Sequence, residues 1–175
     1  MIPIVFPSDC THLAPKRELE KEMRDSIKDI IRDAVMQMDA MTLEEFIAYF
    51  PAQVALLGIQ LQWTARCEDA LNRAKSEKGV MNAANRAAAV TLRDLVVMTT
   101  DASLSKRDRT KIETLITIQV HQRDVFDGLV KKGIKSATDF EWLKQTRFYW
   151  KPETDNCIIQ ITDMEFPYSY EYLGC

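Results

Sequence analysis

Glycine and proline are scarce, 5 and 6 in 175 residues, so tight turns are few and long helices are favoured over a fold built from many short strands. There are only two histidines, His12 and His121. A hydrolytic dyad would need His121 beside a serine, cysteine or carboxylate, but its neighbours at helical spacing are Thr117, Ile118, Val125 and Phe126, so it reads as a structural residue. No G-x-x-x-x-G-K-S/T run and no glycine cluster occurs, which removes the usual phosphate cradle and any reason to expect a nucleotide cofactor. The four cysteines, Cys10, Cys67, Cys157 and Cys175, are far apart and form no C-x-x-C pair. They read as reduced thiols, not as a disulfide framework or a metal site. No run approaches the roughly eighteen apolar residues of a membrane span. The opening MIPIVFPSD lacks the basic region of a signal peptide. A net charge of -3 and a pI near 5.5 give no electrostatic case for nucleic acid or an anionic membrane as partner. No catalytic, cofactor-binding or metal-binding residue is assigned, and the chain is expected not to be an enzyme.

What is present is the composition of a globular segment, 46% hydrophobic and 28% charged. Residues 1–16 hold three prolines and no helical spacing, and read as an irregular lead-in. From Lys16 to about Asp39, Leu19, Met23, Ile27, Ile30, Ile31, Ala34, Val35 and Met38 recur at steps of three and four, one apolar stripe on a charged helix. Thr42 and Glu45 form a capping box opening a short helix to Tyr49. Pro51 then suits the first turn of a helix reaching about Glu77, with Gly79 as its expected C-cap. An alanine-rich helix spans about Val80–Met98, and Ser105 with Asp108 starts another that Gly133 closes. Thr138 and Glu141 are expected to cap a last short helix. Lys106, Arg107, Arg109 and Lys111 read as a solvated helix start, Trp63 as core or helix interface, and Gln53, Gln60, Gln62 and Gln119 as amides bonding between helices.

The last quarter carries most of the aromatic side chains. Phe166, Tyr168, Tyr170 and Tyr172 alternate, which predicts four rings on one face of an extended strand, and Cys157, Ile159 and Ile161 predict a strand paired with it. So many large aromatic side chains mark this end of the chain as built to meet a partner surface. The expected fold is mainly α, an antiparallel bundle of long helices over residues 17–146 followed by a short β-hairpin or strand arm over 147–175. The end at Leu173-Gly174-Cys175, with nothing to blunt a strand edge, reads as a cut through a larger protein.

Several segments in order, FPAQVALLGIQLQWT, CEDAL, RTKIETLITIQVHQRDVFDGLV, SATDFEWLKQTRFYW and IIQITDMEFPYSYEYLG, resemble the C-terminal part of the linker of dynein heavy chains, and the axonemal outer-arm type more than the cytoplasmic one. The resemblance covers about Glu18 to Cys175; Met1 to Lys16 does not match it. It implies a stiff helical strut that transmits force and hydrolyses nothing itself, within a parent motor that is an ATPase, with Phe166, Tyr168, Tyr170 and Tyr172 as its junction and Trp142 and Trp150 seating the arm on the bundle; the other reading of each of these residues is simple hairpin core. It further implies the AAA+ ring of the same heavy chain as partner, other dynein subunits and microtubules through the parent motor only, and a cytoskeletal location in the axoneme of a cilium or flagellum. The competing expectation is a free-standing helical adaptor whose strand arm pairs with a partner's sheet edge.

Overall fold

The computed structural model describes residues 14–170. Most of the lead-in, with Cys10 and His12, and the end of the aromatic arm, with Tyr172 and Cys175, lie outside them. Among the described residues the order is α1 (Ala14–Gln37), α2 (Leu43–Tyr49), α3 (Ala52–Arg73), α4 (Val80–Met98), α5 (Lys106–Lys131), α6 (Phe140–Leu143), then β1 (Arg147–Lys151), β2 (Asn156–Ile161) and β3 (Met164–Pro167). The molecule is mainly helical, as expected. Among the described residues no helix is long and apolar enough to cross a membrane.

Local chemistry sets the helix ends. The Thr42 hydroxyl accepts from the Glu45 amide while the Glu45 carboxylate accepts from the Thr42 amide, satisfying two donors that the helix start would otherwise leave open. Ser105 likewise accepts from the Asp108 amide. At the end of α5, Gly133 takes a left-handed φ of 68°, so its amide reaches Val130 O (3.0 Å) and that of Ile134 reaches Leu129 O (3.1 Å), the paired closure glycine permits. Two expected caps move. Gly79, at φ 86°, stands before α4 and not at the end of α3, which stops at Ala74. Asp139, not Thr138, caps α6, because its carboxylate accepts from the Glu141 amide (2.9 Å) while Thr138 bonds Ser136.

α3 is the axis of the packing: α1, α2, α4, α5 and β1 all lie against it. One core cluster joins Ile31 and Ala34 of α1, Phe46 and Phe50, Val54, Leu57 and Leu61 of α3, and Cys157 of β2. A second joins Cys67 and Leu71 of α3 to Val80, Met81, Phe126, Leu129 and Trp142. A third holds Ile59 of α3 with Ile47, Leu95, Ile112 and Leu115. The basic run at the start of α5 is only partly solvated. Lys111 is buried and its ammonium donates to the Ile47 and Phe50 carbonyls at the end of α2 (2.8 Å to Phe50), while burial pulls its pKa down. Arg109 donates to the carbonyls of Thr99 and Asp101, tying down the loop that leaves α4. Both cations satisfy carbonyls that a helix end leaves open.

The sheet has three antiparallel strands in the order β1-β2-β3, one more than a hairpin. Phe148 pairs with Ile159, and Ile159 with Phe166; Trp150 pairs with Cys157, and Ile161 with Met164. Partners directly opposite share a face, so one apolar face runs from Trp150 and Cys157 at one end to Ile161 and Met164 at the other. The helices cover the first end, where Cys157 is fully buried, and leave the second open, with Met164 59% and Phe166 43% exposed.

Candidate functional site at the helix–sheet junction

The expected arm residues part company. Trp142 is fully buried in the second core cluster, its ring 5.4 Å from that of Trp63. Trp150, Tyr168 and Tyr170 are half-buried on the first cluster. Phe166 is on the open end of the sheet, and Tyr172 lies outside the described residues. The four rings therefore do not line one strand. β3 ends at Pro167, and Tyr168 and Tyr170 follow it as irregular chain, their rings 5.3 Å apart and nearly perpendicular. They stay on the core because the Tyr168 amide donates to Cys157 O (3.0 Å), Gln53 donates to the Tyr168 hydroxyl (3.3 Å), and the Tyr170 hydroxyl donates to Asn156 while accepting from the Cys157 amide.

Two residues of α3 that were not among those expected also hold the sheet to the helices. Thr64 and Glu68 lie one turn apart on α3 and face the outer edge of β1. The fully buried Thr64 hydroxyl accepts the Phe148 amide at 3.0 Å and donates to Gln60 O, so an edge strand that would otherwise present unpaired amides ends on a helix. One oxygen of Glu68 accepts from both the Trp142 indole (3.2 Å) and the Tyr149 hydroxyl. That hydroxyl in turn accepts from Arg147 (3.2 Å), whose other terminal nitrogen donates to Thr162 O at 2.6 Å. Burial, and then the Glu68 carboxylate, push the Tyr149 phenol well above its ordinary range, so it stays a donor.

Thr162 sits between β2 and β3 at φ 55°, an uncommon conformation for a β-branched residue. It is held from both sides: its amide donates to Leu143 O at 2.7 Å and its carbonyl takes the Arg147 bond. At the other end of the sheet Asp155, also left-handed at φ 49°, takes a two-pronged contact from Arg32 of α1. An i, i+4 pair of Thr and Glu on a helix is too common to have singled these residues out from sequence. Arg147, buried just ahead of the aromatic run, was the one available signal.

The other expected positions are bland. His121 is exposed on α5. Gln119 is buried, but its amide bonds Gln122 on the same helix (3.1 Å), so for this residue the bond between helices gives way to one along the helix. Cys67 and Cys157 are buried thiols pushed up by desolvation, Cys157 to about 12, which keeps both protonated and unreactive. Among the described residues no group of three or more His, Cys, Asp and Glu gathers as metal ligands would. The arrangement as a whole can join and orient.

No family model matches the chain. Similar proteins are nonetheless clear. The chain is 50% identical over 152 residues, 87% of its own length and 3% of the relative's, to the flagellar outer-arm dynein gamma chain of Chlamydomonas reinhardtii. It is 50% identical over 160 residues, 90% of its length and 4% of the relative's, to dynein axonemal heavy chain 8 of Homo sapiens. To dynein axonemal heavy chain 5 of Rattus norvegicus it is 49% identical over 159 residues, 90% of its length and 5% of the relative's. The chain thus spans only a few per cent of the length of these relatives. With about half of its residues identical to theirs across about nine tenths of its length, this chain belongs to the dynein heavy chain family.

Proposed function

We propose that this chain is the C-terminal part of a dynein linker and acts as a force-transmitting strut, with no chemistry of its own, between the AAA+ ring of the same heavy chain and the moving remainder of the motor. The observation that carries the reading is its near-complete alignment, at half identity, with axonemal heavy chains. The geometry agrees with it: a sheet is fastened along α3 by several directional bonds, as a part under load would need to be. In this reading Trp142, Trp150, Tyr168 and Tyr170 seat the sheet, while Phe166, beside the exposed Ile161 and Met164, faces the AAA+ module. Tyr172 is assigned to the same junction. Microtubules and other dynein subunits are partners of the whole motor, which places the chain in the axoneme of a cilium or flagellum.

A free-standing adaptor remains the second reading, because the open end of the sheet could equally receive a partner. One insertion separates the two. A flexible glycine-serine stretch placed between Gln145 and Arg147, in a heavy chain carrying this segment, leaves ATP hydrolysis in place and abolishes most of the microtubule gliding it drives. Unchanged gliding velocity would overturn the strut.

A further inference from the structure

The contacts that join sheet to helices differ in what they can fix. Apolar packing of Cys157, Trp150 and the two tyrosines on α1 and α3 is non-directional and allows small rotations. The Arg32–Asp155 pair is over a third exposed on each side, where ion pairs contribute little and salt weakens them. The Thr64–Phe148 bond fixes one point, about which the sheet could still turn. Glu68 instead gathers, on one oxygen, two donors from different elements, Trp142 of α6 and Tyr149 of β1, on either side of residues 143–146. Together with Thr64 it gives two acceptor atoms on one face of α3 that receive three donors, Phe148 and Tyr149 of β1 and Trp142 of α6, so the sheet is tied to α3 both directly and through α6.

The bonds also close on themselves. From Glu68 the path runs through the Tyr149 hydroxyl to Arg147, to the Thr162 carbonyl, through Thr162 to its own amide, to Leu143 O, and through the neighbouring Trp142 back to Glu68. Arg147 is 3% exposed and, among the described residues, has no carboxylate bonded to it, so the nearest negative charge along this ring is Glu68, reached through the phenol. The stretch from Arg147 through the Tyr149 hydroxyl to Glu68 is a continuous chain of hydrogen bonds, whose members polarise one another, while the covalent links through Thr162 and Trp142-Leu143 close the loop mechanically.

We propose that Glu68 is a positioning residue that sets the angle at which the three-stranded sheet leaves α3. It acts through Trp142 and Tyr149, and under the strut reading, on which this last step rests, it therefore sets the direction in which load enters the helices.

Hydrogen exchange on the full 175-residue chain tests the positioning itself, with Glu68→Ala, Glu68→Gln and Tyr149→Phe. In Glu68→Ala the amides of α6 and β1 exchange at least about tenfold faster, with those of the first half of α5, around Ile112 and Leu115 in the third core cluster, unchanged, since two bonds to a carboxylate are lost without touching that cluster. Tyr149→Phe reproduces part of the effect. Glu68→Gln, which keeps an oxygen able to accept both donors but gives up the charge, is accelerated clearly less than Glu68→Ala. Protection of β1 that survives Glu68→Ala, or acceleration spread evenly over α5 as well, would overturn the proposal.

The same substitutions in a heavy chain carrying this segment read out the load. The expected result is a lower gliding velocity per ATP hydrolysed in Glu68→Ala, at least partly restored in Glu68→Gln. A sheet that loosens locally while that ratio holds would leave Glu68 as the positioning residue and overturn the strut reading instead.

Discussion

α3 and α4 are neighbouring helices of similar length, 22 and 19 residues, with opposite roles. α3 buries ten residues on several sides, from Val54 to Leu71, and carries the polar pair that receives the sheet. α4 buries Val80, Met81, Leu92 and Leu95, and leaves Val90, Val96 and Val97 in solvent. A helix that meets partners on several sides cannot keep a clean polar face, so its pattern is blurred; one at the margin keeps an apolar stripe. The contrast teaches where stability resides. α3 joins all three core clusters and the sheet, whereas α4 closes one side of the helical layer.

The largest test of this contrast pairs Leu71→Ala on α3 with Val97→Ala on α4. Leu71 is fully buried, and its truncation should cost about 2–5 kcal/mol in urea unfolding, lost transfer energy plus an unfilled cavity. Val97 is 61% exposed, and its truncation should stay within about 0.5 kcal/mol. Equal losses would erase the distinction between the helices.

A finer version uses glycine. On α3, a Cβ at Gly58 would meet the buried Phe46 ring at 2.6 Å, so Gly58→Ala should destabilise by about 1–3 kcal/mol despite alanine's better helix propensity. On α5, a Cβ at Gly128 meets nothing within 4 Å, and Gly128→Ala should stabilise by about 0.5–1 kcal/mol. Thermal unfolding of the two variants should therefore move in opposite directions.

Much of this architecture was legible in the sequence, and the reasons it failed in places are specific. The long helices and the box at Thr42 and Glu45 follow from spacing and cap chemistry, both local properties. The strand of the sheet that was not singled out is β1 (Arg147–Lys151): Phe148-Tyr149-Trp150 is a continuous aromatic run without the alternation that marks β2 and β3, and the groups that complete its outer edge, Thr64 and Glu68, are remote in sequence. Alternation from Phe166 to Tyr172 overstated the strand, since packing on Cys157 and bonds to Gln53 and Asn156 draw Tyr168 and Tyr170 onto the core after Pro167. Lys111 looked like surface because its carbonyl partners belong to α2, more than sixty residues earlier. Glu68 and Thr64 are ordinary residues whose role arises only when β1 arrives beside them.

Paired threonines sharpen the polar side of the comparison. Thr64→Val on α3 removes the only hydroxyl that accepts the Phe148 amide and should cost about 1–3 kcal/mol, the penalty of an unsatisfied buried donor. On α4 the Thr91 hydroxyl bonds the Ala87 carbonyl of its own helix, and Thr91→Val should be neutral within about 0.5 kcal/mol in the same unfolding assay.

The smallest effect concerns pH. α3 carries the buried Cys67, whose thiol desolvation pushes far above its ordinary value of 9.0. A group raised on folding contributes stability that is whole below its unfolded pKa and is lost as pH rises, because the unfolded thiol ionises first. Between pH 9 and 10 this removes about 1 kcal/mol, the cost of one thiol releasing its proton only on unfolding. The Lys111 ammonium, pulled down by burial, works the other way, its contribution growing toward its unfolded value of 10.5. That term is common to parent and variant and cancels in their difference. Cys67→Ala should therefore show a flatter decline of unfolding free energy between pH 9 and 10 than the parent, whatever its loss at neutral pH. Parallel slopes would mean that the thiol of α3 meets water in the folded protein, and would remove α3's claim to be the more buried of the two helices at that turn.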